Sequence, residues 1–249
     1  MIETTTDELS RADEAFAGNR LLSTMTREAR ALIEPFGDMI ELSPGEAVLQ
    51  RGVQVQASLF PVGSTMISMT VQLEGGRSAE VASIGREGAV GGIVSCGHAP
   101  AFSRAEVLVP GPAYRVPMDA LEDAKSRSPF IGNLFCRFSD YLLAQVMQSA
   151  ACNAFHSIPE RAARWLLHAQ DRAGDRIELT QEAFAGLLGV QRTTVNAVVR
   201  ELASERLIAT GRGTVRVTDR AGLKRRSCEC YERLEEHFGA VVGVTGKGG

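Results

Sequence analysis

The chain has 249 residues, 44% hydrophobic and 23% charged, with a formal net charge of −3. That is apolar enough for two cores, which excludes a disordered chain, while no apolar run is long enough to span a bilayer. The acidic start Met1-Ile-Glu-Thr-Thr-Thr-Asp7 lacks the basic region of a signal peptide, so a cytoplasmic protein with no membrane partner is expected.

Taken in order, Thr6 to Pro35 carries two or three helical pieces, the most periodic being Asn19–Leu22 and Met25–Ile33. From Gly37 the pattern changes to short β-prone runs: Met39–Leu42, Ala47–Leu49, Ser58–Pro61, Thr65–Leu73, Glu80–Ile84, Ala105–Val109 and Ala113–Val116. Turn residues separate them, among them Pro44-Gly45, Gly63, Gly75-Gly76, Gly91-Gly92 and Pro110-Gly111. Many short strands so punctuated predict a small barrel or jelly roll.

After Pro117 the helical period returns, and Phe130 to Asn153 is long enough for a single rod. Phe135, Phe138, Leu142, Gln145, Ser149 and Cys152 follow an alternating three-and-four spacing along it. That face can pack against a second copy as a coiled coil, or against the chain's own β domain. His156-Ser-Ile-Pro159 breaks the rod as a hinge, and Arg161 to Gln170 resumes helix with Ala162, Trp165 and Leu166 inward.

The most informative stretch follows. Leu179 to Leu202 reads as two short amphipathic helices hinged at Leu188-Gly189-Val190. Thr180 is the expected cap of the first, with Phe184, Leu187 and Leu188 as its buried stripe. The second begins near Gln191 and turns Val195, Val198, Val199 and Leu202 inward, leaving Arg192, Thr193, Asn196 and Arg200 toward the other side. Two β-prone runs then flank Gly211-Arg212-Gly213, a hairpin with a basic tip that reads as a wing. A polar, short-chained first turn with one arginine suits a major groove, and Arg212 and Arg216 are placed to meet phosphates, so double-stranded DNA is the expected partner. The charge distribution agrees: residues 1–156 hold 12 Lys and Arg against 18 Asp and Glu, and residues 157–249 hold 15 against 12.

At these residues the chain resembles the Crp/Fnr superfamily of bacterial transcription regulators: a Leu-Thr-x-x-x-hydrophobic-Ala helix, Leu-Gly-Val, Arg-x-Thr-Val, a Leu-Ile and a Gly-containing wing ending in Asp are met from Leu179 to Asp219. The resemblance implies an α+β chain. A β-roll (jelly-roll-like) sensor domain with N-terminal helices would cover 1–116, a helical linker with the dimerisation helix 117–156, and a winged helix-turn-helix domain 157–249. It implies a homodimer on a palindromic site, with RNA polymerase as a further partner. Arg192 matches the family's guanine-reading arginine and Thr194 a common phosphate contact. Thr193 stands where the best-known members have glutamate, and Ala197 where they have arginine, so a different target sequence is expected, read over a shorter reach by Thr193 or Asn196.

The family's cyclic-nucleotide pocket uses a Gly-Glu turn and an Arg-Ser pair. Here Gly91-Gly92-Ile93 lacks the glutamate, and Ser103-Arg104 reverses the order. These five residues are the candidate effector pocket, for an unknown small molecule rather than cAMP by preference; a cyclic-nucleotide-responsive regulator is the alternative. The cysteines at 96, 136, 152, 228 and 230 form no N-terminal iron–sulfur cluster, and Cys96 with His98 supplies only two ligands, so neither a metal nor a cofactor is expected. Cys228 and Cys230 are expected on one helix, Leu223–Phe238, one buried and one exposed. The histidines at 98, 156, 168 and 237 sit in no catalytic motif, so no enzyme is expected. A degenerate winged helix that binds protein is the rival reading; it predicts loss of the basic face that Arg192 and Arg212 retain.

Overall fold

The structure is a computed structural model that describes residues 6–74, 78–93 and 99–243. It opens with helices α1 (Thr6–Gly18) and α2 (Arg27–Ile33), the second started by the Thr26 side chain, which accepts from the backbone N–H of Ala29. Strands β1 (Asp38–Leu42), β2 (Ala47–Leu49), β3 (Ala57–Pro61), β4 (Met66–Gln72), β5 (Ser78–Ile84), β6 (Arg104–Val109) and β7 (Gly111–Pro117) then form two antiparallel sheets, ordered β1-β7-β3 and β2-β6-β4-β5. Each of the seven runs read from the sequence is a strand. Their inner faces enclose Leu42, Leu59, Ile67, Ile84, Val90, Ala105, Val107 and Ala113, and along β6 the alternation is strict: Ala105, Val107 and Val109 point in, Arg104, Glu106 and Leu108 out.

Helix α3 (Met118–Arg127) ends at Ser128, which caps the 27-residue rod α4 (Pro129–Phe155). Only His156 and Ser157 separate the rod from α5 (Ile158–Ala173), so the hinge is shorter than the sequence suggests. Ile158 and Pro159 already lie in the first turn of α5, where proline needs no N–H partner, and the Glu160 carboxylate accepts from the Ser157 backbone N–H at 2.8 Å.

The C-terminal part comprises β8 (Arg176–Glu178), α6 (Gln181–Leu188), α7 (Arg192–Ser204), β9 (Ile208–Gly211), β10 (Thr214–Val217), α8 (Arg220–Arg226) and α9 (Cys230–Val241). The single helix expected over Leu223–Phe238 is two helices, broken at Ser227-Cys228-Glu229, and both cysteines are buried. The break lets α9 turn back onto α4, where Phe238 meets Tyr141 edge to face at 4.9 Å. Among the described residues no helix is long and apolar enough to cross a membrane.

Candidate nucleic-acid interface

The local sequence builds the helix pair from its caps. The Thr180 hydroxyl accepts from the Ala183 N–H at 3.1 Å, opening α6, and Gly189 closes it in the left-handed region at φ 67°, a conformation that costs most side chains free energy. Buried Arg161 supports the turn from below, its Nη2 donating to the Leu188 carbonyl at 2.6 Å; burial pulls its pKa down. Phe184, Ala185 and Leu188 are buried, whereas Leu187 is only half-buried because it faces the crevice between α6 and the β-roll.

Helix α7 divides as its spacing requires. Val195, Val198, Val199 and Leu202 enter a core shared with Ile177, Leu207, Ile208, Val215 and Val217. Gln191, Arg192, Thr193 and Arg200 are exposed, and Thr194 and Asn196 are half-buried. Asn196 turns its Oδ1 inward and its backbone carbonyl accepts from Arg200 Nε at 3.2 Å, so it is less available to a ligand than its sequence position suggests. Arg192 is 63% exposed, with only a loose 3.8 Å approach to Glu182.

The wing is β9 and β10 around Arg212-Gly213, with β8 as a third strand on the other edge of β10. Strand β8 is three residues long and carries no signal of its own in the sequence; pairing with β10 fixes it. Arg212 and Arg216 are exposed. Thr180, Gln181 and Arg192 share a groove with Thr210, Gly211 and Thr214 of the wing, so hydroxyls, a helix N-terminus and a guanidinium open onto one concave surface. Sequence reasoning misses Thr210 and Thr214; only β9–β10 pairing brings them there.

Residues 160–226 match the Crp-like helix-turn-helix domain family. A 71-residue stretch is 39% identical to the HTH-type transcriptional regulator Cmr of Mycobacterium tuberculosis (strain CDC 1551 / Oshkosh), spanning 28% of this chain and 28% of Cmr. The fold as a whole is similar to FixK2 from Bradyrhizobium japonicum, at TM-score 0.66 and 15% identity over 77% of this chain and 98% of that one. Residues 160–226 are thus assigned to the Crp-like helix-turn-helix domain family, and the fold around them is similar to that of FixK2. A CRP-family transcriptional regulator from Thermus thermophilus is similar at TM-score 0.62 and 18% identity, over 76% of this chain and 96% of that one. The c-di-GMP responsive global regulator CLP of Xanthomonas campestris is similar at 0.59 and 15%, over 76% and 96%.

Two groups of residues fall elsewhere than the sequence suggested. Along α4, Phe135, Phe138, Leu142, Gln145 and Cys152 are buried inside the chain. Phe135 stacks edge to face on Phe60 of the roll at 6.1 Å, Phe138 lies 6.0 Å from Tyr141, Leu142 joins the roll core, and Ser149 lines an internal crevice with Glu80 and Arg164. The most apolar stripe therefore serves the intrachain core, where its side chains leave water. The face left open is offset from it: Leu143, Val146, Met147 and Phe155 are exposed, with Ala150, Ala151 and Ala154 between them.

The effector group is likewise not brought together. Gly92 sits against the Met118 and Leu121 side chains, where a Cβ would collide with Met118, and Ile93 is buried beside them. Gly91 lies against the Ala57 carbonyl. Ser103 is buried, but Arg104 points out of the roll, pairs with Glu106 at 2.7 Å and lines the crevice facing Ala183 and Gly186 of α6. Strand alternation separates it from the inward-facing glycines. Cys96 and His98 lie outside the described residues.

Proposed function

We propose that this protein is a sequence-specific, DNA-binding transcription regulator, and not an enzyme, that acts as a homodimer on a palindromic promoter site. The observation that carries the reading is the first turn of α7, where Gln191, Arg192 and Thr193 stand in solvent over a floor of Val195, Val198 and Val199. A guanidinium so presented donates two parallel hydrogen bonds to guanine O6 and N7, which discriminates by about 1–3 kcal/mol. Thr194, the Thr180 end of α6, Arg200, Arg212 and Arg216 would meet phosphates on either side.

The second copy is assigned to the open face of α4. Leu143, Val146, Met147 and Phe155 form a continuous apolar strip on a rod of 27 residues, and Phe155 is 86% exposed in the single chain. A twofold contact there covers the strip and presents two recognition helices, as a palindrome requires. Residues 1–116 would then act as the sensor, 117–156 as the linker and 157–249 as the reader, with RNA polymerase as the further partner that promoter binding implies. Arg104 is committed to Glu106 outside the roll, which supports an effector other than cAMP.

Selection of bound fragments from genomic DNA tests the reading. An inverted repeat with half-sites about one helical turn apart is expected; recovery of no common sequence would contradict it.

A further inference from the structure

Four side chains converge where the rod meets the C-terminal part. Cys152 comes from the last turn of α4, His156 from the residue that ends it, Cys228 from the break between α8 and α9, and Cys230 from the first residue of α9. Their sulfur and nitrogen atoms all lie within 4.8 Å of one another. Cys152 Sγ is 3.6 Å from Cys228 Sγ, and Cys230 Sγ is 3.4 Å from His156 Nδ1. A tetrahedral ion with bonds of about 2.3 Å to sulfur and about 2.0–2.1 Å to nitrogen has edges of about 3.5–3.8 Å, so the donors already stand near the corners of a mononuclear site. An iron–sulfur cluster, whose inorganic sulfides hold its cysteines apart, does not fit donors this close.

The surroundings suit a metal. All three cysteines are buried, which keeps water from the sulfurs. Glu229 Oε2 lies 3.3 Å from His156 Nε2, so the ring's N–H is engaged outward and Nδ1 presents its lone pair to the sulfurs, as in a carboxylate–histidine–metal relay. Gln148 Nε2 donates to Cys230 Sγ at 2.9 Å, a bond that favours thiolate. Arg161 and Arg164 lie close enough to Cys152 to offset the surplus negative charge of three thiolates around one dication.

We propose that Cys152, His156, Cys228 and Cys230 bind one Zn²⁺ per chain. Each thiol gives its proton to solvent as its Zn–S bond forms, and neutral imidazole fills the fourth corner. Because the ligands come from both sides of the two-residue hinge, the ion fastens the end of α4 to the α8–α9 junction and fixes the angle at which α5 leaves the rod. Binding of the metal does not depend on the reading of DNA.

The full-length chain, purified under reducing conditions, should carry close to one zinc per chain by elemental mass spectrometry. Exchange for Co²⁺ should give the visible absorption of tetrahedral thiolate coordination, saturating at one equivalent. Cys152→Ser and Cys228→Ser should each weaken Co²⁺ binding by about 100-fold or more, Glu229→Gln by about 10–100-fold, and Cys136→Ser, which removes an exposed thiol away from the cluster, should leave it unchanged. Titrating the chelated wild-type chain keeps the test valid if a variant does not fold. Failure of that chain to take up Zn²⁺ or Co²⁺, a Cys152–Cys228 disulfide in place of metal, bound iron with sulfide, or equal loss in Cys136→Ser would each overturn the proposal.

Discussion

Arg172 of α5 closes on Glu87 of the β-roll, with Nε and Nη2 each 2.8 Å from Oε1 and both residues only 7% exposed. The pair ties the helix that follows the rod to the turn after β5. Removing one member of a buried pair strands the other charge, at a cost of about 3–5 kcal/mol. Arg172→Met should therefore lower stability in urea unfolding by that amount, and adding Glu87→Gln should recover much of it. An additive double mutant would show that the two do not act as a pair.

Stability should also depend on pH through His168. The ring is buried beside Tyr231, and burial, then Arg172, Arg164 and Arg220, hold its pKa well below the ordinary value of 6.5, with Glu235 4.0 Å from Nδ1 too remote to reverse them. Below pH 6.5 the unfolded chain takes up a proton that the folded chain refuses. The stability contribution is thus complete above pH 6.5 and lost as pH falls toward the folded pKa, with a slope of up to about 1.4 kcal/mol per pH unit. His168→Phe should flatten denaturation midpoints measured from about pH 7 to about pH 5; an unchanged slope would remove His168 from the account.

The rod predicts a separation between oligomeric state and stability. Met147 is 63% exposed, so Met147→Glu should leave the single chain folded and convert a dimer to monomer in light scattering. Leu142→Ala, in the roll core, should instead cost about 2–5 kcal/mol and leave the dimer contact in place. A dimer that persists in Met147→Glu would place the twofold contact elsewhere.

At the wing, Arg212→Ala should weaken binding to all duplexes alike and reduce the slope of log affinity against log salt by about one, because one phosphate contact is lost. Titrations at several salt concentrations read both effects. Weakening confined to one sequence would make Arg212 a base reader.

Local physics made much of this legible in the sequence. The seven roll strands follow from alternating runs and turn residues, and the helix pair from its Thr180 cap, its Gly189 turn and the valines of α7. What escaped was decided at a distance. Strand β8 exists through its pairing with β10, and the rod's strongest stripe faces Phe60 and Phe238 rather than a partner, a choice periodicity cannot make. Arg104 is separated from Gly92 by the side on which β6 presents it. The metal quartet was visible only as two halves, Cys152 and His156 one helical turn apart and Cys228-x-Cys230; the return of α9 onto α4 joins them.

Whether the first turn of α7 reads base edges is decided by measuring affinity for the selected palindrome and for every single-base variant of one half-site, with wild type and Arg192→Ala. The variant is expected to lose about 1–3 kcal/mol of discrimination at one G·C pair per half-site and to keep its preferences elsewhere. Identical preference profiles for the two proteins would contradict it.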